Sequence, residues 1–442
     1  MSSIVLQPRY EVGDLAGTEP LWSGDVIVVG GGSAGCAAAI ASARGGARTL
    51  LVEASGFLGG TGAAVLDTMY GFFAPADHEH HVVGGIGWEL VSGLLADGTA
   101  FRRPNTYGAG TGITYDPEYL KIAWDDLLGR AGAELLSHTL ARAVVRSRGA
   151  VCGVVVETRS GSHWLRASAI VDATGDADIA WKAGAALEVP AADRRVQPLT
   201  ATFRVGGVDP SAVSTPDLHR AMHEAAESGD YRLPRREGSV HRTTVPHSVH
   251  TNLTRVSGVD PTDPWQLSAA ETEGRRQVVE YMRFLRERVP AFAESHLLGT
   301  GVRIGVRETR RLVGRHVLTR DDVMSARRFD DEIALCGAPL EDHDGGEKTI
   351  WEYIGGAGPN SATYGVPLRS LLPLNTPGLI VAGRCLSATH DAHASVRSIA
   401  QCIATGEAAG TTAAIATGTG RQIAEVESAE VRERLLANGA VL

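Results

Sequence analysis

Gly30-Gly-Gly32-Ser33-Ala34-Gly35 is the densest piece of chemistry in the chain. At this spacing Gly30 permits a tight turn, Gly32 lets the main chain approach a pyrophosphate, and Gly35 lets a helix press on a strand. The apolar run Asp25-Val-Ile-Val-Val29 precedes it as a buried strand, and an Ala-rich helix from Ala34 to about Arg44 follows. Thr49-Leu-Leu-Val52 then reads as a second parallel strand, ending at Glu53, where an acid can take the ribose hydroxyls. The helix N-terminus aims free N–H groups and partial positive charge at the phosphates. These residues together predict a dinucleotide site.

Glu53 is followed by Ala54 and then by Gly56-Phe-Leu-Gly59-Gly60-Thr61-Gly62. A nicotinamide dehydrogenase has no use for a glycine run there; a chain passing along the pyrophosphate and isoalloxazine of FAD does. Asp172-Ala173-Thr174-Gly175-Asp176 ends another buried strand and suits a close return to the cofactor. Gly383-Arg384, Ser395-Val396-Arg397 and a helix over about 398–416 place a strand end and a helix N-terminus where reduced flavin gathers negative charge.

The reacting groups are less constrained. Arg303, Arg307, Arg310 and Arg311 cannot all face one way; two of them facing a ligand would clamp a carboxylate, Arg307 being the one expected near the flavin. Ion pairing with Glu308 or Asp321 is the competing use. His390 and His393 suit a general base, a hydrogen-bond donor to the flavin, a covalent attachment point or a structural hydrogen bond. Cys385 suits buried packing better than a reactive thiol. His343 and Tyr364 are candidates for the substrate side, against surface placement. His78-Glu79-His80-His81 lacks the i, i+4 pair of a helical metal site and reads as a lid-like loop, so no metal is expected.

The sequence resembles the FAD-dependent oxidoreductases of the FAD_oxidored type, distantly similar to the flavoproteins of fumarate reductase and succinate dehydrogenase. The resemblance spans roughly residues 24–415. It is carried by the first glycine run, Gly305-Val-Arg-Glu-Thr-Arg-Arg-Leu-Val-Gly314, Tyr364-Gly-Val-Pro-Leu-Arg369 and Gly383-Arg-Cys-Leu-Ser-Ala-Thr-His390-Asp-Ala-His393-Ala-Ser-Val-Arg397. It implies FAD contacts at Gly32, Glu53, Gly60, Ala141 (through its backbone), Gly175, Gly383, Val396 and Arg397. Arg384 stands where many flavoproteins have an acid, which leaves the usual acid–ribitol contact open.

These residues need a frame. With 442 residues the chain fits two interleaved domains. The expected fold is α/β: a Rossmann-like FAD-binding domain of the two-dinucleotide-fold type with an inserted α+β substrate domain. The expected division is an N-terminal arm over 1–23, the first part of the FAD domain over 24–185, a substrate or cap domain over 186–364, the second FAD part over 365–425, and a C-terminal tail over 426–442. Helices are expected at 86–95, 116–130 and 268–288, a β-meander at 135–157, and a largely irregular stretch at 65–114.

A net charge of −9 argues against nucleic acid as the main partner, and no run reaches the roughly 18 apolar residues of a membrane span. The first 20 residues lack the apolar core of a secretory signal, and five cysteines without a CxxC pair suit a reducing, cytoplasmic setting. The expected activity is hydride transfer from a small polar or carboxylated substrate to flavin N5. No second GxGxxG follows a strand, so the electron acceptor stays unassigned among oxygen, a quinone and another protein. An NAD(P)H- and oxygen-using monooxygenase and a non-catalytic FAD-binding protein are the alternatives. A small-molecule substrate, anionic if the arginines hold it, is the expected partner, and a homo-oligomer is left open.

Overall fold

The computed structural model describes residues 9–15, 17–74, 77–105 (backbone only at 77–79), 110–190, 196–343, 349–355 and 363–442. Its centre is a five-stranded parallel sheet in the order Glu134–Leu136, Thr49–Val52, Val26–Val29, Ala169–Asp172, Leu379–Val381. Every residue of the middle three strands is buried. That is why they read as unbroken apolar runs instead of alternating ones. Val29 pairs with both Val52 and Asp172, and Asp172 with Val381. The strands therefore end level, and Gly30, Glu53, Ala173 and Ala382 emerge along one edge, where open α/β sheets bind their ligands. The fold is mixed α/β on a parallel core, as the sequence predicts.

Helices Ser33–Arg44 and Ile399–Thr419 lie together on this sheet and run parallel. A Cβ on Gly406 would lie 2.1 Å from the Ala34 carbonyl oxygen, and one on Gly410 2.1 Å from that of Ala38. Only hydrogen fits in that seam. Ser42 Oγ donates to the Gly410 carbonyl at 3.1 Å one turn further on.

The strands expected at 135–157 form an antiparallel meander, Leu140–Ser147, Ala150–Thr158 and Gly161–Arg166. The N-terminal segment is more than an extended arm: Arg9–Glu11 and Trp22–Ser23 add in parallel to the two edges of the meander. Exposed edges invite pairing, and these two strands use it. The stretch 65–114 is likewise more regular than its composition suggests. Thr68–Met69, Thr111–Tyr115 and Ala100–Pro104 make a small sheet around the helix Gly85–Ala96.

A second core lies over residues 201–292. Strands Ser239–Arg242, Ser248–Asn252, Phe203–Gly206 and His296–Thr300 form an antiparallel sheet in that order. Helices Thr215–Ser228 and Pro264–Arg288 supply Met222, Tyr281 and Phe284 to a core with Phe203, Val205 and Val249. The longer helix begins at Pro264, earlier than its apolar periodicity shows, because Asp263 accepts from the Trp265 and Gln266 N–H groups and proline takes the first turn. The C-terminal residues end in the helix Ser428–Ala437, and the Gly439 carbonyl accepts from Gly85 N–H at 2.8 Å. No helix among the described residues is long and apolar enough to cross a membrane.

Candidate functional site

A cavity of about 460 Å³ runs from the level strand ends to the antiparallel sheet of the second core. Gly30, Gly32, Ser33, Ala34, Glu53, Ala54, Gly60, Thr61, Ala141, Ala173, Thr174, Gly175, Arg384 and Arg397 all line it. So of the residues expected to hold the cofactor, those in the first glycine turn, the ribose-acid segment and the strand return meet on one wall.

The geometry of that wall fits a dinucleotide. Helix Ser33–Arg44 has no side-chain cap, which leaves its first N–H groups for a ligand. Gly30 and Gly60 take φ of 101° and 52°, and a Cβ on Gly30 would strike Ala173 O at 2.5 Å. Gly32 is different: a Cβ there would meet nothing nearer than Gly60 Cα at 3.9 Å, so the missing side chain is cavity space. The Glu53 carboxylate accepts from Gly31 N–H and Ser55 N–H, each at 2.6 Å, and is thereby fixed at the strand end. Ser398 and Ile399 bring the start of the second helix to the same cavity. Two positive helix ends converge there.

Several expected residues stand behind the wall and not on it. Gly35 and Gly383 are packing positions: a Cβ would lie 1.7 Å from Gly30 O in one case and 2.7 Å from Ala34 Cβ in the other. Gly59 pairs with Gly32 in a single bridge. Ser395 Oγ is tied to Tyr364 Oη at 2.8 Å and Ala338 O at 2.6 Å, and Val396 is fully buried beside it. Tyr364 thus sits in the core and away from the substrate side.

The two histidines singled out from the sequence also lie outside the cavity lining. His390 Nδ1 is 2.9 Å from Glu308 Oε2, and its Nε2 is 3.6 Å from Asp342 Oδ1. Burial opposes its charge, but Asp342 and Glu308 outweigh that and raise its pKa to about 10. His393 is fully buried, bonds the Arg384 carbonyl through Nε2 at 2.8 Å, and is pushed down to about 3 by burial. One is an ion-pair cation and the other a neutral structural donor. Asp342, His390 and Asp391 bring ligand-type atoms within 4.8 Å of one another, but His390 is committed to Glu308.

The arginine cluster divides. Arg310 pairs with Asp178, and Arg311 with Glu188 and Glu308. Arg303 and Arg307 line the cavity. Arg307 is half-buried at the cavity wall, donating to Pro198 O at 2.5 Å. Burial, then Arg397 and Arg235, lower its pKa to about 9. A carboxylate beside it is that of Glu341. Burial would raise that acid, but His343, Arg397 and the Tyr70 hydroxyl hold it well below the usual carboxylate range. Tyr70 Oη donates to Glu341 Oε2 at 2.6 Å, and His343 Nε2 lies 3.1 Å from Glu341 Oε1. His343, expected on the substrate side, does line the cavity, and burial with Arg307 nearby pushes its pKa down to about 3. Among the described residues lining this end of the cavity, the cations Arg235, Arg307 and Arg397 outnumber the acid Glu341.

Sequence reading missed Asp67, Tyr70, Arg235, His241, His250 and Glu341, all on the cavity wall. His241 and His250 occupy the same position in two similar strands, Ser-Val-His, and pair directly across them. That repeated tripeptide was the available signal. All five cysteines are free. Of His78-Glu79-His80-His81, the first two side chains fall outside the described residues, and His81 stacks on Trp88 at 3.8 Å.

A family model described as FAD dependent oxidoreductase matches residues 25–435 of the chain. Among curated proteins none matches. Among solved structures, p-nitrophenol 4-monooxygenase PnpA from Pseudomonas putida DLL-E4 superposes with a TM-score of 0.51 at 12% identity, over 95% of this chain and 85% of that one. A geranylgeranyl bacteriochlorophyll reductase-like protein from Thermoplasma acidophilum gives 0.47 at 15% identity, over 94% and 83%. The flavin-dependent brominase Bmp2 gives 0.48 at 12%, over 94% and 83%. At such identities the likeness is one of fold.

Proposed function

The chain belongs to the FAD dependent oxidoreductase family, and from that premise we propose that it oxidises a small anionic substrate held at the arginine end of its cavity. FAD is the cofactor, and bound it supplies a two-electron acceptor. The supporting observation is the charge imbalance around Arg307. A half-buried guanidinium among other arginines, its pKa lowered by desolvation, is an arrangement that a carboxylate ligand relieves.

Each part of the chain has a task in this reading. The level strand ends, with Gly30, Gly32, Glu53 and Gly60, grip the dinucleotide. The start of helix Ile399–Thr419 answers charge that builds on the cofactor. Arg307, with Arg235 and Arg397, orients the substrate anion, and Glu341, fixed by Tyr70 and His343, sets where that anion cannot go.

The deciding experiment is anaerobic spectroscopy of the flavin-loaded protein against a panel of carboxylates. Bleaching of the oxidised-flavin band by a carboxylate alone supports the dehydrogenase. A second reading, an NAD(P)H- and oxygen-dependent monooxygenase, draws on the fold shared with p-nitrophenol 4-monooxygenase. Substrate-stimulated NAD(P)H consumption with oxygen uptake, and no bleaching by substrate alone, would replace the first reading with the second.

A further inference from the structure

Three histidines line the cavity, and they are not equivalent. His343 has both ring nitrogens engaged, Nε2 by Glu341 and Nδ1 by Thr349 Oγ1 at 2.9 Å. It has no lone pair to offer. His241 and His250 stand on the paired strands of the second core, stacked at 5.3 Å and 21°. Asp67, from the segment after the glycine run, reaches between them. Its Oδ1 lies 2.8 Å from His241 Nε2, and its Oδ2 3.4 Å from His250 Nδ1.

This carboxylate is completely buried. Burial would raise its pKa, but His250, His241 and Arg103 outweigh that and keep it ionised. An ionised acid can only accept, so the hydrogen shared with Asp67 sits on His241 Nε2, and Nδ1 is the ring's other nitrogen. Nδ1 of His241 is buried and has no hydrogen-bond partner. A ring held by an acid at one nitrogen and left without a partner at the other is the arrangement of a general base. A partnerless buried acceptor also calls for a donor, and a hydroxyl is the simplest one.

We infer that His241, oriented by Asp67, is the proton acceptor of the reaction, and that the substrate is a hydroxy acid whose hydroxyl meets His241 while its carboxylate meets Arg307. This rests on the proposed oxidation of an anionic substrate. The O–H bond breaks and its proton goes to His241 Nδ1, while the C–H bond on the same carbon breaks and its hydrogen leaves with the electron pair to oxidised FAD. A C=O bond forms, the product is an oxo acid, and the Asp67 carboxylate stabilises the imidazolium until its proton returns to solvent. Asp67 is a positioning residue, and His241 is the catalytic one.

The test uses the full-length, FAD-loaded protein with 15N-labelled histidine, and three matched probes: lactate with propionate, mandelate with phenylacetate, and 3-hydroxybutyrate with butyrate. Binding is read from perturbation of the flavin spectrum, and the tautomer from the ring 15N shifts. For at least one pair the hydroxy acid should bind tenfold or more tightly than its parent and should move the His241 Nδ1 resonance. His241→Ala should equalise the pair and leave the parent's affinity in place; His241→Gln is the second variant if the first does not fold. Asp67→Asn should shift the ring proton toward Nδ1 and abolish the preference. Equal affinities within every pair, or a preference that survives in both His241 variants, overturns the assignment. If no carboxylate binds, or binding ignores Arg307→Ala, the anionic-substrate reading itself has failed, and this inference with it.

Discussion

A side chain on Gly35 would lie 1.7 Å from the Gly30 carbonyl oxygen, although the same group on Gly32 would enter open cavity. Two glycines of one motif therefore differ: one is a packing position and the other borders cavity space. Gly32→Ala, at an ordinary φ of −71°, should leave the melting temperature of the flavin-free protein within about 1 °C and abolish FAD retention on a desalting column. Gly35→Ala should lower stability by roughly 1–3 kcal/mol or more, as forced overpacking does. Equal melting losses in the two would refute the distinction.

Arg307 should trade stability for binding. Replacing this guanidinium by Met removes a partly desolvated charge from among Arg235 and Arg397. The ligand-free protein is expected to melt higher by a few degrees, since apolar replacements of buried charges are often stabilising. Carboxylate affinity, followed by flavin-spectrum titration, should fall by about 100-fold, in keeping with the loss of a charge-assisted bidentate contact. A variant that melts lower and binds normally would count against any anion-holding role.

Three buried histidines should make the protein lose stability as pH falls below about 6.5. His250, His343 and His393 are held neutral by burial, at about 4, 3 and 3. Their unfolded forms take up protons near pH 6.5, so the unfolded state binds more protons between that value and the folded ones. Stability is then complete above about pH 6.5 and lost as pH falls, each residue contributing on the order of a few kcal/mol by full titration. Melting curves from pH 7 to 4 should show this slope, and His393→Gln, which keeps a donor for Arg384 O, should flatten it.

His390 has the opposite sign. Raised to about 10 by Asp342 and Glu308, it adds stability that is fully present below about pH 6.5 and is lost as pH rises through 10. His390→Gln should remove most of the decline in melting temperature between pH 7 and 10 attributable to this ion pair, with little effect on FAD content. Loss of FAD at neutral pH in that variant would instead point to contact with the cofactor.

The cofactor wall was readable in the sequence because its parts are local. Strand, glycine turn, helix, strand and acid follow one another within Val26 to Glu53, and buried parallel strands announce themselves as apolar runs. The opposite wall was not. Asp67, Arg235, His241, His250 and Glu341 belong to five separate segments, and only strand register and domain packing bring them to one cavity. His390 and His393 lie off the cavity lining for a related reason. They adjoin cofactor residues in sequence, but the helix His390–Val396 buries His393 against Arg384 O and leaves His390 facing Glu308. Nearness along a chain fixes facing only within a strand or a turn of helix.

The glycine seam between helices Ser33–Arg44 and Ile399–Thr419 has a consequence for the order of events during synthesis. Ser42 and Gly410 are 368 residues apart, and their contact closes a long loop. A ribosome emits the dinucleotide turn long before the helix that braces it. Until that helix emerges, Ala34 and Ala38 lack the packing of Gly406 and Gly410. A chain cut before Ile399 is therefore expected to keep the glycine turn and lose retention of FAD.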